Sequence, residues 1–118
     1  MISADDLEAL LRTWREGHRE VEVALLGPGL SLKFSGMVDE IRNKEFLVVS
    51  NQNFIRVGFG TEENASCTRY QQAEGAARYE MEQHNLEAVL ELRPSDEISC
   101  SISVRAPILH LPQSTLLN

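Results

Sequence analysis

Only two of the 118 residues are cysteine, Cys67 and Cys100, and they form no C-x-x-C pair. That is too few for a disulfide scaffold, and both read as small buried apolar residues. Basic side chains are also scarce: eleven Lys and Arg stand against eighteen Asp and Glu, a formal charge of −7. The excess is −2 over residues 1–60, with seven basic and nine acidic residues, and −5 over residues 61–118, with four and nine. An acidic surface repels phosphates, which weighs against nucleic acid and anionic membranes as partners. Aromatic residues make up 6% of the chain, and no cluster of Lys and Arg is interleaved with them. No apolar run approaches the roughly 18 residues of a membrane helix. The opening Met-Ile-Ser-Ala-Asp-Asp-Leu-Glu is acidic and amphipathic, unlike a secretory signal, so a cytoplasmic location is expected.

Enzyme signatures are missing as well. Gly27-Pro28-Gly29 and Gly58-Phe59-Gly60 lack the strand–loop–helix context and the lysine of a phosphate loop, and neither G-x-S-x-G nor H-E-x-x-H occurs. The histidines are His18, His84 and His110. Glu80 and His84, four apart, share a helix face, but two ligands fall short of a metal site. Cys67, flanked by Ser66, Thr68 and Arg69, is the better candidate nucleophile of the two thiols, yet it needs a neighbouring histidine. The acidic pairs Asp39-Glu40 and Glu62-Glu63 are adjacent, so on a strand they point to opposite faces. No catalytic residue, cofactor or metal ligand is therefore expected.

What the chain does contain is pattern. Ser3 is placed to cap a helix over residues 3–17, with Asp5 and Asp6 in its first turn and Ile2 and Leu7 at the positions of a hydrophobic staple. Leu7, Leu10, Leu11 and Trp14 follow at helical spacing, and Gly17 is the expected stop. A meander over residues 20–59 comes next. Val21, Val23 and Leu25 form the apolar row of its first strand, and Leu26-Gly27-Pro28-Gly29 the turn. Leu32, Phe34, Gly36 and Val38 alternate with polar residues; after the polar step Arg42-Asn43-Lys44-Glu45 comes the apolar run Phe46-Leu47-Val48-Val49. This hairpin is predicted to form the centre of the sheet, with a bulge near Glu40 and Ile41. Ile55, Val57 and Phe59 predict a fourth strand.

Residues 60–85 are read as an insertion, helical over 71–84 or mobile, with a short strand possible at 65–70. A hairpin over 86–105 is sharply patterned: Leu86, Ala88, Leu90 and Leu92 form one row and Ile98, Cys100, Ile102 and Val104 its partner. The tail, 107–118, holds Ile108, Leu109, Leu111, Leu116 and Leu117, an apolar content that predicts docking on the body or on a neighbouring subunit.

Within 36–49, the positions of Gly36, Val38, Ile41, Leu47, Val48 and Val49 resemble the glycine and apolar positions of the first motif of Sm-like small barrels. The resemblance implies a helix followed by a strongly bent meander, and RNA as a ligand. Arg42 and Phe46 stand where that family carries its aspartate and base-contacting asparagine, so no RNA-binding residue is carried over.

The fold expected is α+β: one domain, with the N-terminal helix packed on a curved, mainly antiparallel sheet of about six strands, open or closed into a small barrel. The function expected is a non-catalytic interaction or assembly domain forming a homo-oligomer, a dimer first, or pairing with another protein. Leu7, Leu11, Trp14, Leu109 and Leu111 are the expected interface. The alternative is a small-molecule site between helix and sheet, for which Arg56 and Tyr70 are the candidate polar groups.

Overall fold

The structure, a computed structural model, describes residues 2–42, 44–58, 65–93 and 96–106. Helix α1 (Ala4–Glu16) begins where its cap residue dictates. Ser3 is extended, and its Oγ accepts the Asp6 N–H at 3.1 Å, satisfying one of the helix's free donors. Gly17 ends the helix, donating to the Thr13 carbonyl, but it is His18 that takes the left-handed backbone (φ 52°). The Arg19 N–H then returns to the Trp14 carbonyl at 3.0 Å, turning the chain directly into the sheet.

Seven strands follow: β1 (Glu20–Gly27), β2 (Leu30–Arg42), β3 (Glu45–Val49), β4 (Phe54–Gly58), β5 (Ala65–Arg69), β6 (Leu86–Leu92) and β7 (Ser99–Arg105). They form one antiparallel sheet in the order β4-β3-β2-β1-β7-β6-β5. The fold is α+β and the curved sheet is open, with β4 and β5 at its edges. The strand count exceeds the expected six because 65–69 pairs with β6. The expected insertion continues with a 3₁₀ turn (Tyr70–Gln72) and a second helix, α2 (Gly75–Gln83), so its described part is ordered secondary structure. Phe59, residues 60–64, the turn residues Pro94 and Ser95, and the tail 107–118 lie outside the described residues.

The centre of the sheet is β1, not the β2–β3 hairpin. β2 is long enough to serve two neighbours in succession: Leu30–Met37 pairs with β1 on one side, and Met37–Arg42 pairs with β3 on the other. The expected bulge lies between Val38 and Ile41. At Gly36 the Val49 backbone crosses so closely that an added Cβ would stand 2.2 Å from its carbonyl oxygen. Only a residue without a side chain allows that approach. Pro28 and Gly29 (φ 70°) close the β1–β2 turn in the order a type II turn requires.

One face of the sheet carries the core. Val21 and Val23, Phe46 and Val48, Leu90 and Leu92, and Cys100, Ile102 and Val104 alternate inward, and α1 lays Leu7, Leu10, Leu11 and Trp14 on the same cluster. Leu7, Leu11 and Trp14 are 1%, 0% and 2% exposed. Their place is the intramolecular core rather than a surface for another chain. A 13-residue helix is marginal in isolation, and this burial is what holds it.

Candidate functional site

Two features are left over once the core is assembled. The first is the outer edge of β2. Among the described residues, positions 30–36 pair with β1 on one side and with no strand on the other. Leu30 and Leu32 belong to the inward-facing row, yet they remain 40% and 45% exposed, with Phe34 half-buried beside them. The reason is geometric. The β1–β2 hairpin runs on beyond the reach of α1 and of β3, so its apolar row outlasts the layer that covers it. Leu26, 54% exposed on the opposite face, completes an apolar hairpin tip. Strand edges with unpaired N–H and C=O groups invite pairing, and they are commonly protected by charge or proline. Here Lys33 is the one charged residue of the segment 30–36.

The second feature is a groove of about 460 Å³ on the opposite face of the sheet, walled by α2. Helix α2 is anchored by Met81, which is buried against the body, and by the 3₁₀ turn: the Tyr70 hydroxyl donates to Glu82 at 2.9 Å, and the Arg78 guanidinium lies 4.6 Å from the Tyr70 ring centroid. Ala77, Glu80, Met81 and His84 form the wall. The polar rows of the strands form the floor, including Glu22 and Ala24 of β1, Ser101 and Ser103 of β7, and Val89 and Glu91 of β6. Register places Ser35, Glu22, Ser103, Val89 and Thr68 in one line across five strands.

Arg56 and Tyr70 do not come together. Arg56 is on the edge strand β4, 3.6 Å from Glu45, whereas Tyr70 follows β5 at the other edge and is engaged with α2. Each is occupied by local partners, and neither lines the groove. Leu109 and Leu111 lie outside the described residues. The groove's floor escaped a reading by apolar rows because its alternate positions are Glu, Ser and Thr, which mark a solvated face unless a helix covers it. Helix α2 walls that face into a concavity, and its weakly patterned sequence hid the helix that does so.

The thiols and the histidine pair show no reactive arrangement. Cys100 is 1% exposed in the core, and burial pushes its pKa up to about 11. Cys67 is half-buried between β5 and α1; burial raises its pKa and the nearby Arg69 opposes the rise. A nucleophilic thiol needs the reverse shift. Ellman's reagent at pH 8 is expected to titrate one thiol per native chain, Cys67, and two in guanidinium; two fast thiols in the native protein would contradict the burial of Cys100. Glu80 and His84 both line the groove, but no three His, Cys, Asp or Glu side chains converge as a metal site among the described residues. No helix among them is long and apolar enough to cross a membrane.

No family model matches this chain, and no curated protein or solved structure is significantly similar to it. Any functional reading therefore rests on the edge and the groove themselves.

Proposed function

We propose that this protein is a non-catalytic assembly module that pairs with a second copy of itself through the outer edge of β2. One observation carries the reading: a strand edge with no partner strand among the described residues, whose apolar row, Leu30 and Leu32, stands exposed. Pairing satisfies the exposed backbone groups and buries the leucines in the same step. The sequence of the edge is self-complementary. An antiparallel two-fold centred on Leu32 sets Leu32 against its mate, Leu30 against Phe34 and Ser31 against Lys33, each pair on one face. A centre on Lys33 would set two ammonium groups opposite each other. In a chain of charge −7, this carboxylate-free segment is also where two copies approach with least repulsion.

Sedimentation equilibrium tests the reading. The protein is expected to be a dimer, and Leu32→Asp a monomer with unchanged far-UV circular dichroism, because the replaced side chain is exposed, and with a melting temperature lowered by the loss of the partner subunit. In a Cys67→Ser background, Leu32→Cys is expected to form an intermolecular disulfide on mild oxidation, since directly opposed residues fall within the Cα separation of a disulfide. A monomeric wild-type protein, or a Leu32→Asp dimer, would overturn the proposal.

A further inference from the structure

The outer face of β2, β3 and β4 carries an inference independent of assembly. We propose that an apolar patch there, formed by Met37, Leu47, Val49 and Phe54, is the docking surface for this chain's own C-terminal segment, with Leu109 and Leu111 seated on it in cis. The patch follows from alternation. Val38, Phe46 and Val48 turn into the core, so Met37, Leu47 and Val49 turn outward. Register sets Met37, Val49 and Phe54 side by side on three neighbouring strands. Met37 and Phe54 stay 46% and 63% exposed, and Leu47 and Val49 are half-buried. Contiguous apolar side chains on one face mark an interaction surface, which a lone exposed side chain does not.

The place where the described residues end selects the occupant. Ala106 is held just beyond β7: its N–H donates to the Asn85 carbonyl at 2.9 Å, and its carbonyl accepts from the Asn85 side-chain amide at 3.2 Å. Val104 pairs with Val21 and Glu20 with Met37, so the end of β7 and the patch lie at one level of the sheet. Both Arg105 and Glu20 line the groove on the outer face, so the chain leaves β7 on the level of the patch and beside that face. From β7, Met37 is two strand spacings away, about 10 Å, and Val49 is three, about 14 Å. An extended chain covers about 10 Å by Leu109 and about 17 Å by Leu111, counted from Ala106. The two leucines are two positions apart and so share one side of an extended segment. Pro107 and Pro112 favour that form, because each disfavours a helical residue before it.

Chemistry agrees with reach. Residues 107–118 contain no Asp, Glu, Lys or Arg. The groove under α2 offers such a segment Glu20, Glu22, Glu80 and Glu91, and the open row of Leu30 and Leu32 belongs to the opposite face of the sheet. Tethering also favours the chain's own patch over a second copy's, because the short connection sets a high effective concentration.

The test places a nitroxide on Gln113→Cys in a full-length Cys67→Ser background and follows side-chain methyl signals by NMR. Met37, Leu47 and Val49 are expected to lose most of their intensity, while Leu30, Leu32 and Val89 keep theirs. Leu109→Ser with Leu111→Ser in the labelled chain is expected to restore the signals; both positions lie beyond the last strand, and far-UV circular dichroism verifies the fold. A mixture of spin-labelled chains with separate isotope-labelled chains is expected to show no loss. Undiminished patch signals, equal loss at Leu30 and Leu32 or at Val89, or loss that survives the double substitution would each overturn the proposal. Loss confined to the mixture would also overturn it, with a second copy as the occupant.

Discussion

Trp14→Ala is expected to lower the stability of the folded chain by about 4 kcal/mol, within the range for deleting a large buried aromatic. Trp14 is 2% exposed, shares one cluster with Leu7, Leu10 and Leu11, and lends its carbonyl to the Arg19 N–H that closes the helix end. Removing the indole leaves a cavity between α1 and the sheet and loosens the helix that covers the core face. Urea unfolding followed by far-UV circular dichroism measures the loss; tryptophan fluorescence cannot, because Trp14 is the one tryptophan. Leu11→Ala, at 0% exposure, is expected to lose about 3 kcal/mol by the same cause. The pair also separates two roles for α1. A helix reserved for another subunit would show dissociation on dilution with little loss of intrinsic stability, whereas the packing seen here requires the reverse. A loss below about 1 kcal/mol in both variants would mean that α1 does not cover the core.

Gly36→Ala is expected to be nearly as damaging, at roughly 3 kcal/mol, the upper end of the overpacking range. The methyl group would stand 2.2 Å from the Val49 carbonyl oxygen and 2.7 Å from its carbonyl carbon. Both are backbone atoms, so no rotamer change relieves the clash; β3 must move away from β2 where the two begin to pair at Met37 and Val49. In a domain of this size the loss corresponds to a fall in melting temperature of about 12 °C, read by differential scanning calorimetry. Gly29→Ala makes a useful comparison. No atom lies within 4 Å of its added Cβ, and the strain is confined to a left-handed backbone at φ 70°, at about 1 kcal/mol. Equal effects at the two glycines would mean that the close approach at Gly36 does not govern the bend.

Much of this architecture was already written in local residue order. Ser3 and Gly17 bound α1 because capping is chemistry between near neighbours, and the Pro-Gly turn and the alternating rows of β1, β6 and β7 follow from the two-residue period of a strand. The position of Cys100 in an apolar row was enough to place it in the core. The slip in alternation at Glu40 and Ile41 was enough to locate the bulge. Strand β5 and helix α2 were harder to read. Ala65–Arg69 has polar residues at most positions because it is an edge strand, and Gly75 weakens the helical signal where it starts α2 with a positive φ.

Burial at a given apolar position was decided by tertiary structure alone. Leu7, Leu11 and Trp14 form one kind of apolar row and Leu30 and Leu32 another, and periodicity treats them alike. The first row is covered because α1 folds back over the centre of the sheet; the second is open because β2 outruns its partners. Likewise, Glu22, Ser103 and Glu91 read as a wet face until α2 arches over it and makes that face a groove. Residue order specifies which face of an element is apolar, since that depends on neighbours two to four positions apart. Whether the face meets a helix, a second chain or water depends on segments dozens of residues away, and that was decided only when the sheet assembled around β1.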